Sequence, residues 1–222
     1  MNQKVIWRKT SIILFFVCIL YILCLRFIDV REIGPNGSSV GFATLNQFFH
    51  NLLPWNEAWY KITKYLGILP FLWVAYYGLC GVVQVVQKKS LKKVDQKLIL
   101  LGMFYVLLGS VYLFFEKFVV NYRPILMDGE LEASFPSSHT MLAICVSISA
   151  LFMIGDYIKS EKVRNVLDIA SWAVMIVLVI GRALSGVHWF TDIVGGILIS
   201  AFLLSLFYES ILYIRSKKKK IA

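Results

Sequence analysis

Charged residues are scarce in this sequence. Asp, Glu, Lys and Arg make up 16% of its 222 residues and 59% are hydrophobic, whereas a soluble domain carries about 25% charged residues. The mean hydropathy is +0.72. These values exclude an ordinary soluble globular domain. They predict an all-α, polytopic membrane protein, because only helices or closed barrels satisfy backbone polar groups in a bilayer and each helical span needs ~20 apolar residues.

Cysteine and histidine are also rare, with four and three copies. All four cysteines lie in apolar runs, and no Cys-x-x-Cys pair or Cys/His cluster is present, so neither a disulfide framework nor a zinc site is expected. The sequence also lacks a cluster of carboxylates suited to Mg²⁺. We therefore expect neither a metal nor another cofactor.

Acidic residues number 13 against 23 basic ones, which leaves a net charge of +10. In a soluble protein such an excess would suggest nucleic acid. Here the basic residues flank the apolar runs in short clusters, a pattern typical of membrane topology and of contact with anionic lipid headgroups. The expected partners are membrane lipids; the sequence indicates neither nucleic acid nor a particular protein partner.

Six apolar segments predict a bundle of six transmembrane helices, without an internal repeat or a separate soluble domain, so that residues 1–222 form a single domain. The predicted spans are Thr10–Ile28, Tyr65–Gln87, Leu98–Val120, 136–158, Val166–Leu184 and His188–Ile214. The first follows a basic N-terminus as in a signal peptide, but no small-x-small cleavage site follows it, so an uncleaved span is expected. The segment Asp29–Trp55, rich in turn residues, is predicted to be a loop.

An even number of spans places both termini on one side of the membrane. Sixteen of the 23 basic residues fall on that side and seven on the other. The positive-inside rule then makes both termini cytoplasmic in a multi-pass protein of the cell membrane. Arg123, His139, Arg182 and His188 fall on the opposite side, so a site built from them would be extracytoplasmic.

The most informative polar stretch is Gly181–Asp192, between two apolar runs. His188 and Asp192 are four residues apart and would share a face of a helix. The aspartate could then hold one imidazole nitrogen as a donor and leave the other as a nucleophile. Arg182 can reach the same space. Alternatively, these residues could pair for structural reasons only.

Two further clusters lie upstream. Arg123-Pro124 follows the third span, where an arginine could also be a simple interface anchor. Pro136-Ser137-Ser138-His139 begins the fourth span; helix capping would explain it, but a helix N-terminus with two hydroxyls also binds anions. His139 could donate a proton to a leaving group. Together the clusters contain the cationic clamps, nucleophile and acid that phosphoryl transfer needs, with arginines in place of magnesium.

These residues resemble the motifs of the type 2 phosphatidic acid phosphatase superfamily of membrane lipid phosphatases, which are Lys-x6-Arg-Pro, Pro-Ser-Gly-His and Ser-Arg-x5-His-x3-Asp. The matches lie within residues 116–192. The resemblance implies that His188 forms a phosphohistidine, Asp192 orients it and His139 protonates the leaving group. It also implies a phosphate site without metal, formed by Arg123, Arg182, Ser137 and Ser138.

Three positions depart from the family motifs. The lysine expected seven residues before Arg123 is Glu116, and Lys117 is one residue late, which rotates it ~100° on a helix. Lys117 is therefore only a weak candidate for phosphate binding. Ser138 stands in the place of a glycine, and Gly181 in the place of a serine.

The resemblance implies an integral membrane phosphatase that hydrolyses a lipid phosphate or diphosphate at the outer leaflet. Phosphatidate, phosphatidylglycerol phosphate and a polyprenyl diphosphate are possible substrates. Two alternatives remain open. One is a lipid phosphotransferase that uses the same histidine; the other is a lipid-binding or transport protein without catalytic activity.

Overall fold

The computed structural model describes residues 3–221, with side chains described through residue 217, and within this range the chain is all-helical apart from isolated β-bridges. The helices are α1 (Gln3–Phe27), α2 (Ala43–Leu52), α3 (Glu57–Leu66), α4 (Phe71–Lys88), α5 (Gln96–Lys117), α6 (Ser138–Tyr157), α7 (Glu161–Leu184) and α8 (Phe190–Ile221). Six helical segments of this range are long and apolar enough to cross a membrane. The predicted fold, a multi-pass bundle of six spans, is confirmed.

The second span differs from the prediction because two helices form it. Its 32 residues, Glu57–Lys88, comprise α3 and α4. Asn56 caps α3 by accepting the N–H of Trp59 at 3.1 Å. Pro70, which has no N–H to donate, precedes α4, and the chain turns between the two helices. A start at Tyr65 was therefore wrong, because the lysines of α3 resemble residues that flank a span.

The predicted loop after α1 contains the helix α2. Asn46 on α2 is fully buried. Its Nδ2 donates to the carbonyl of Gly41 at 2.8 Å and to Oγ1 of Thr191 at 2.9 Å, while its Oδ1 accepts the N–H of Thr191 at 3.1 Å. The sequence analysis did not predict this helix, because the turn residues 34–39 upstream led to the whole segment being interpreted as a loop. Its role is to bind the beginning of α8.

α8 is the centre of the bundle. It packs against α1, α2, α5, α6 and α7. Of an 18-residue apolar stretch in α8, 61% is buried inside the protein, whereas the corresponding share in α1 is 17%. Small residues line its contact with α6, and in membranes such residues let helices approach closely. Gly196 is one of them: a Cβ there would lie 3.2 Å from the side chain of Thr140 on α6. A Cβ on the neighbouring Gly195 would lie 2.1 Å from the ring of Phe135. The absence of that Cβ lets the chain before α6 press against α8.

Four helix ends meet beside the first turn of α8. The connection 118–137 leads from the end of α5 to the beginning of α6, and a short turn joins α7 to α8. One backbone hydrogen bond and one side-chain hydrogen bond tie these parts of the chain together. Ser137 N–H donates to the carbonyl of Asp192 at 3.0 Å, and Trp189 Nε1–H donates to the carbonyl of Tyr122 at 2.7 Å.

Candidate active site

The predicted site residues come from these converging ends. Arg123, Ser138 and His188 line one narrow cavity beside α8. Arg182 belongs to the last turn of α7, and His139 to the first turn of α6. The expectation that the distant clusters meet at one end of the bundle therefore agrees with the structure.

Three buried nitrogen atoms of the predicted site residues have no hydrogen-bond partner in the part of the chain that the structure describes: Nε and Nη1 of Arg182 and Nε2 of His188. Arg182 is only 1% exposed, and its guanidinium lies 5.3 Å from the ring centre of Tyr60. A buried cation without hydrogen-bond acceptors is unfavourable. Guanidinium N–H groups form charge-assisted hydrogen bonds with phosphate oxygens, so the arrangement is suited to a tetrahedral oxyanion.

His188 and Asp192 are not joined as the sequence predicted. α8 begins at Phe190, so His188 precedes the helix and does not share a helical face with Asp192. Ser134 lies between them. Its Oγ is 3.0 Å from Nδ1 of His188 and donates to Oδ2 of Asp192 at 2.5 Å. The four-residue spacing predicted a direct contact between His188 and Asp192, and this prediction was wrong because the Ser134 hydroxyl lies between the two side chains.

Asp192 is fully buried and accepts two further hydrogen bonds. Asn121 Nδ2 donates to its Oδ1 at 3.0 Å, and the N–H of Trp189 donates to its Oδ2 at 3.1 Å. Sequence reasoning missed Asn121 and Ser134. Each lies two residues before a motif, Asn121 before Arg123 and Ser134 before Pro136, but the spacing did not show that either side chain would reach α8.

The environment of His188 keeps its imidazole neutral. Burial lowers the pKa of His188 well below its usual 6.5, and positive charge on Arg123, Arg182 and His139 lowers it further. An imidazole with a lowered pKa stays unprotonated at neutral and mildly acidic pH. Its unpartnered Nε2 then carries a lone pair that can attack an electrophile.

Ser137 and Ser138 have different surroundings. Ser138 lines the cavity, and the first-turn N–H groups of α6 lack intrahelical acceptors, which suits an anion. Ser137 is fully buried, and its hydroxyl donates to Thr140 Oγ1 at 3.0 Å. That hydroxyl is occupied inside the protein, so the predicted role of Ser137 in phosphate binding has less support than that of Ser138.

His139 lies beside the turn between α3 and α4. A Cβ on Gly67 would be 3.3 Å from its Cδ2. His139 also lines a second cavity, of about 200 Å³, together with Lys64, Pro70 and Leu178. The residues that line this cavity come from α3, α4, α6 and α7 and from the turn between α3 and α4.

Arg123 is held by the connection between α5 and α6. Its Nε lies 3.2 Å from Oε2 of Glu132, and its backbone N–H donates to the carbonyl of Glu132 at 3.0 Å. The Glu132 carboxylate is 47% exposed. An exposed carboxylate can yield this cation to a phosphate at little cost, since exposed ion pairs contribute at most about 1 kcal/mol.

Glu116 and Lys117 keep the one-residue mismatch of the first motif in the folded protein. Glu116 lines the cavity that contains Arg123 and His188, whereas Lys117 is exposed at the end of α5. A carboxylate therefore faces the cavity from the place where the family motif has a lysine. Lys117 stays a weak prediction for phosphate binding.

Gly181 permits the close contact of α7 with α3. A Cβ at this position would lie 2.5 Å from Cγ2 of Thr63 and 3.1 Å from the ring of Trp59. The serine of the family motif therefore does not fit here without movement of α3.

We expect the substitution Gly181→Ser to destabilise the protein by ~1–3 kcal/mol, because the new side chain overpacks this contact. The measurement is the Tm of the purified variant in detergent. Thr63→Ser removes Cγ2 and keeps the hydroxyl, so the double variant should recover part of the lost Tm. A single variant as stable as the parent would contradict this account of Gly181.

Comparisons with known proteins place these residues in a wider context. Residues 70–216 match the model of the PAP2 superfamily. Phosphatidylglycerophosphatase B of Bacillus subtilis (strain 168) is 30% identical over 106 residues, which are 46% of this chain and 51% of that protein. The chain thus matches about half the length of this relative.

The fold also resembles a solved structure. It is the crystal structure described as the first transmembrane PAP2 type phosphatidylglycerolphosphate phosphatase from Bacillus subtilis. The TM-score is 0.57 with 19% sequence identity, and the alignment covers 96% of this chain and 98% of the other. At this identity the likeness concerns the fold.

Proposed function

Because the chain belongs to the PAP2 superfamily, we propose that it is an integral membrane phosphatase that hydrolyses a lipid phosphate or diphosphate through a phosphohistidine on His188. One observation carries this proposal. Nε2 of His188 and two nitrogens of Arg182 are buried without hydrogen-bond partners among the described residues, and the charge of Arg182 acts on His188. A nucleophile beside an unsatisfied cationic clamp is what phosphoryl transfer requires.

The first chemical step breaks the ester bond of the substrate. Nε2 of His188 attacks phosphorus, and a P–N bond forms as the P–O bond to the lipid breaks. His139 gives its proton to the departing oxygen. The guanidiniums of Arg123 and Arg182, with the N–H groups at the beginning of α6, bind the phosphoryl oxygens and stabilise their charge.

The second step releases phosphate. His139, now neutral, takes a proton from water as the water oxygen attacks phosphorus. The P–N bond breaks, and its electron pair returns to Nε2 of His188. Inorganic phosphate leaves, and both histidines regain their starting protonation states. The positive charge needed at phosphorus comes from guanidiniums, so the proposed mechanism is independent of metal.

The site faces the outer leaflet in this proposal. The basic residues at the opposite end of the bundle favour cytoplasmic termini under the positive-inside rule. A lipid could keep its tail in the membrane while its headgroup reaches His188. The cavity beside His139, lined by residues of four helices, supports access from the bilayer.

A glycerolipid phosphate monoester is the preferred substrate class, and phosphatidylglycerol phosphate is the first candidate. Support comes from the relative named as phosphatidylglycerophosphatase B. Phosphatidate and a polyprenyl diphosphate remain further candidates.

The direct test is release of phosphate from these three lipids by the purified protein, with and without a chelator. We expect release from at least one lipid, and no effect of the chelator. No release from any of them would overturn the phosphatase proposal. Loss of activity with the chelator would overturn the metal-independent mechanism, and transfer of the phosphoryl group to a second lipid instead of water would indicate a phosphotransferase.

Glu116 offers a prediction about substrate preference. Its carboxylate lines the cavity from an exposed position and should repel the second phosphate of a diphosphate. We expect Glu116→Lys to raise kcat/KM for a polyprenyl diphosphate, relative to phosphatidate, about fivefold, corresponding to ~1 kcal/mol for an exposed charge. Lys117→Gln is the matched control, since Lys117 is exposed at the neighbouring position and should leave the ratio unchanged. An unchanged ratio in Glu116→Lys would contradict this role.

A further inference from the structure

Ser134 lies between the candidate nucleophile and its carboxylate. We propose that Ser134 is a positioning residue that connects Asp192 to His188 and selects the tautomer in which Nε2 carries the lone pair. This inference rests on the proposed function. It assigns a role to a residue outside the segments in which the family motifs were recognised.

The direction of the hydrogen bonds follows from the partners of Asp192. Asn121 Nδ2 and the N–H of Trp189 can only donate, so the carboxylate of Asp192 acts as an acceptor on both oxygens. Ser134 Oγ, at 2.5 Å from Oδ2, donates the third hydrogen bond to it. These three donors stabilise the ionised carboxylate.

The single hydrogen of the Ser134 hydroxyl is thereby committed to Asp192. Toward His188 the same oxygen can only accept, and the atom 3.0 Å away is Nδ1. Nδ1 must therefore carry the hydrogen. In a neutral imidazole the other nitrogen, Nε2, then has the lone pair, and Nε2 is the buried nitrogen without a partner among the described residues.

The position of Ser134 is determined by its neighbours. Its N–H donates to the carbonyl of Asn121 at 2.9 Å, and the side chain is 2% exposed. The next residue, Phe135, packs where Gly195 lacks a side chain. The hydroxyl is thus held against α8 by the connection between α5 and α6, which limits the alternative orientations that His188 can adopt.

This arrangement also acts during the reaction. As the P–N bond forms, the imidazole ring becomes positive, and the proton on Nδ1 stays in place. Ser134 Oγ, polarised by the negative charge of Asp192, accepts a stronger hydrogen bond from that N–H. The ring charge is stabilised in the transition state more than in the ground state, which is the condition for an effect on kcat.

The test uses three variants of the whole chain in detergent micelles with a short-chain phosphatidate. Ser134→Ala and the near-isosteric Ser134→Cys remove a good acceptor, and we expect each to lower kcat about 10- to 100-fold with KM changed less than threefold. Ser185→Ala is the matched control. Ser185 is fully buried near the site, but its hydroxyl donates to the carbonyl of Arg182 within its own turn. The kcat of Ser185→Ala should therefore stay within twofold of the kcat of the parent protein.

A pH profile separates this role from a merely structural one. The backbone of Ser134 also raises the pKa of His188 and stays in both variants. Loss of the hydroxyl removes the other acceptor of the protonated ring, so the pKa of His188 falls further and the acidic limb of kcat/KM moves to lower pH. A kcat within twofold of the parent in either folded Ser134 variant, or an unmoved limb, would overturn the inference. If His188→Ala is inactive while the Ser134 variants are fully active, only this inference fails; an active His188→Ala overturns the proposed function itself.

Discussion

Replacing His188 with alanine is expected to reduce phosphate release by about 10⁴-fold or more, because removal of a nucleophile abolishes the covalent route. His188 is 6% exposed and its Nε2 has no other partner among the described residues, so the nucleophilic lone pair of the proposed site is lost with this side chain. The measurement is phosphate release from phosphatidate, together with detection of an acid-labile, alkali-stable phosphoryl group on the protein. Neither product should appear with the variant.

His139→Ala provides the comparison that identifies the roles of the two histidines. An acid is needed only when the leaving group is a poor one. The variant should therefore lose the first step on a lipid phosphate but still release phenol in a burst from an aryl phosphate with an acidic phenol. Turnover after the burst should stay slow, because His139 also activates water in the second step. His188→Ala should show no burst on either substrate. Absence of the phenol burst in His139→Ala would contradict the assignment of His139 as the acid.

Replacing Arg182 with methionine should remove activity and at the same time stabilise the protein. The guanidinium is buried, and Nε and Nη1 lack partners in the described part of the chain. An unpaired buried cation is destabilising, and an apolar replacement of similar length removes that penalty. Loss of one oxyanion clamp costs about 10²–10³-fold in rate. Function and stability are therefore expected to change in opposite directions.

The stability effect is measured as Tm in detergent, where we expect a rise of about 2–4 °C for ~1 kcal/mol in a chain of this length. Orthovanadate, a phosphate analogue, should raise the Tm of the parent, because it supplies the missing acceptors. It should have no such effect on Arg182→Met. A variant that is both inactive and less stable than the parent would show that the contact of Arg182 with Tyr60 outweighs its unsatisfied charge.

The membrane architecture could be predicted because it depends on local composition. Runs of apolar residues long enough to span a bilayer identify a helix without knowledge of its neighbours, and all six predicted spans have a counterpart in the structure. A span that is buried in the bundle is still a continuous run of apolar residues, so it is recognised in the same way as a span that faces lipid. The helices α2 and α3 escaped prediction because each has only 10 residues and no long apolar run marks it. The contact of Asn46 with Thr191 becomes visible only when the chain is folded.

The candidate site was predictable in its residue types but not in its connections. Arg182, His188 and Asp192 stand out because charges are rare between apolar runs. Ser134 does not stand out, because a serine before a helix is common and its partner Asp192 lies 58 positions away. Spacing alone also suggested a helical face for His188, whereas in the folded chain the helix begins only after that residue.

α1 lies outside the region that matches the family model, which begins at residue 70, yet it contacts the beginning of α8. Tyr21 donates its hydroxyl hydrogen to the carbonyl of Thr191 at 2.8 Å, and Leu25 is 2% exposed. Thr191 is the residue immediately before Asp192. The region that carries the family motifs and the region that mechanically supports the site thus have different boundaries in this chain. A truncated protein that began at residue 70 would keep every candidate catalytic side chain. It would lose the Tyr21 hydroxyl that anchors the first turn of α8, which carries Asp192.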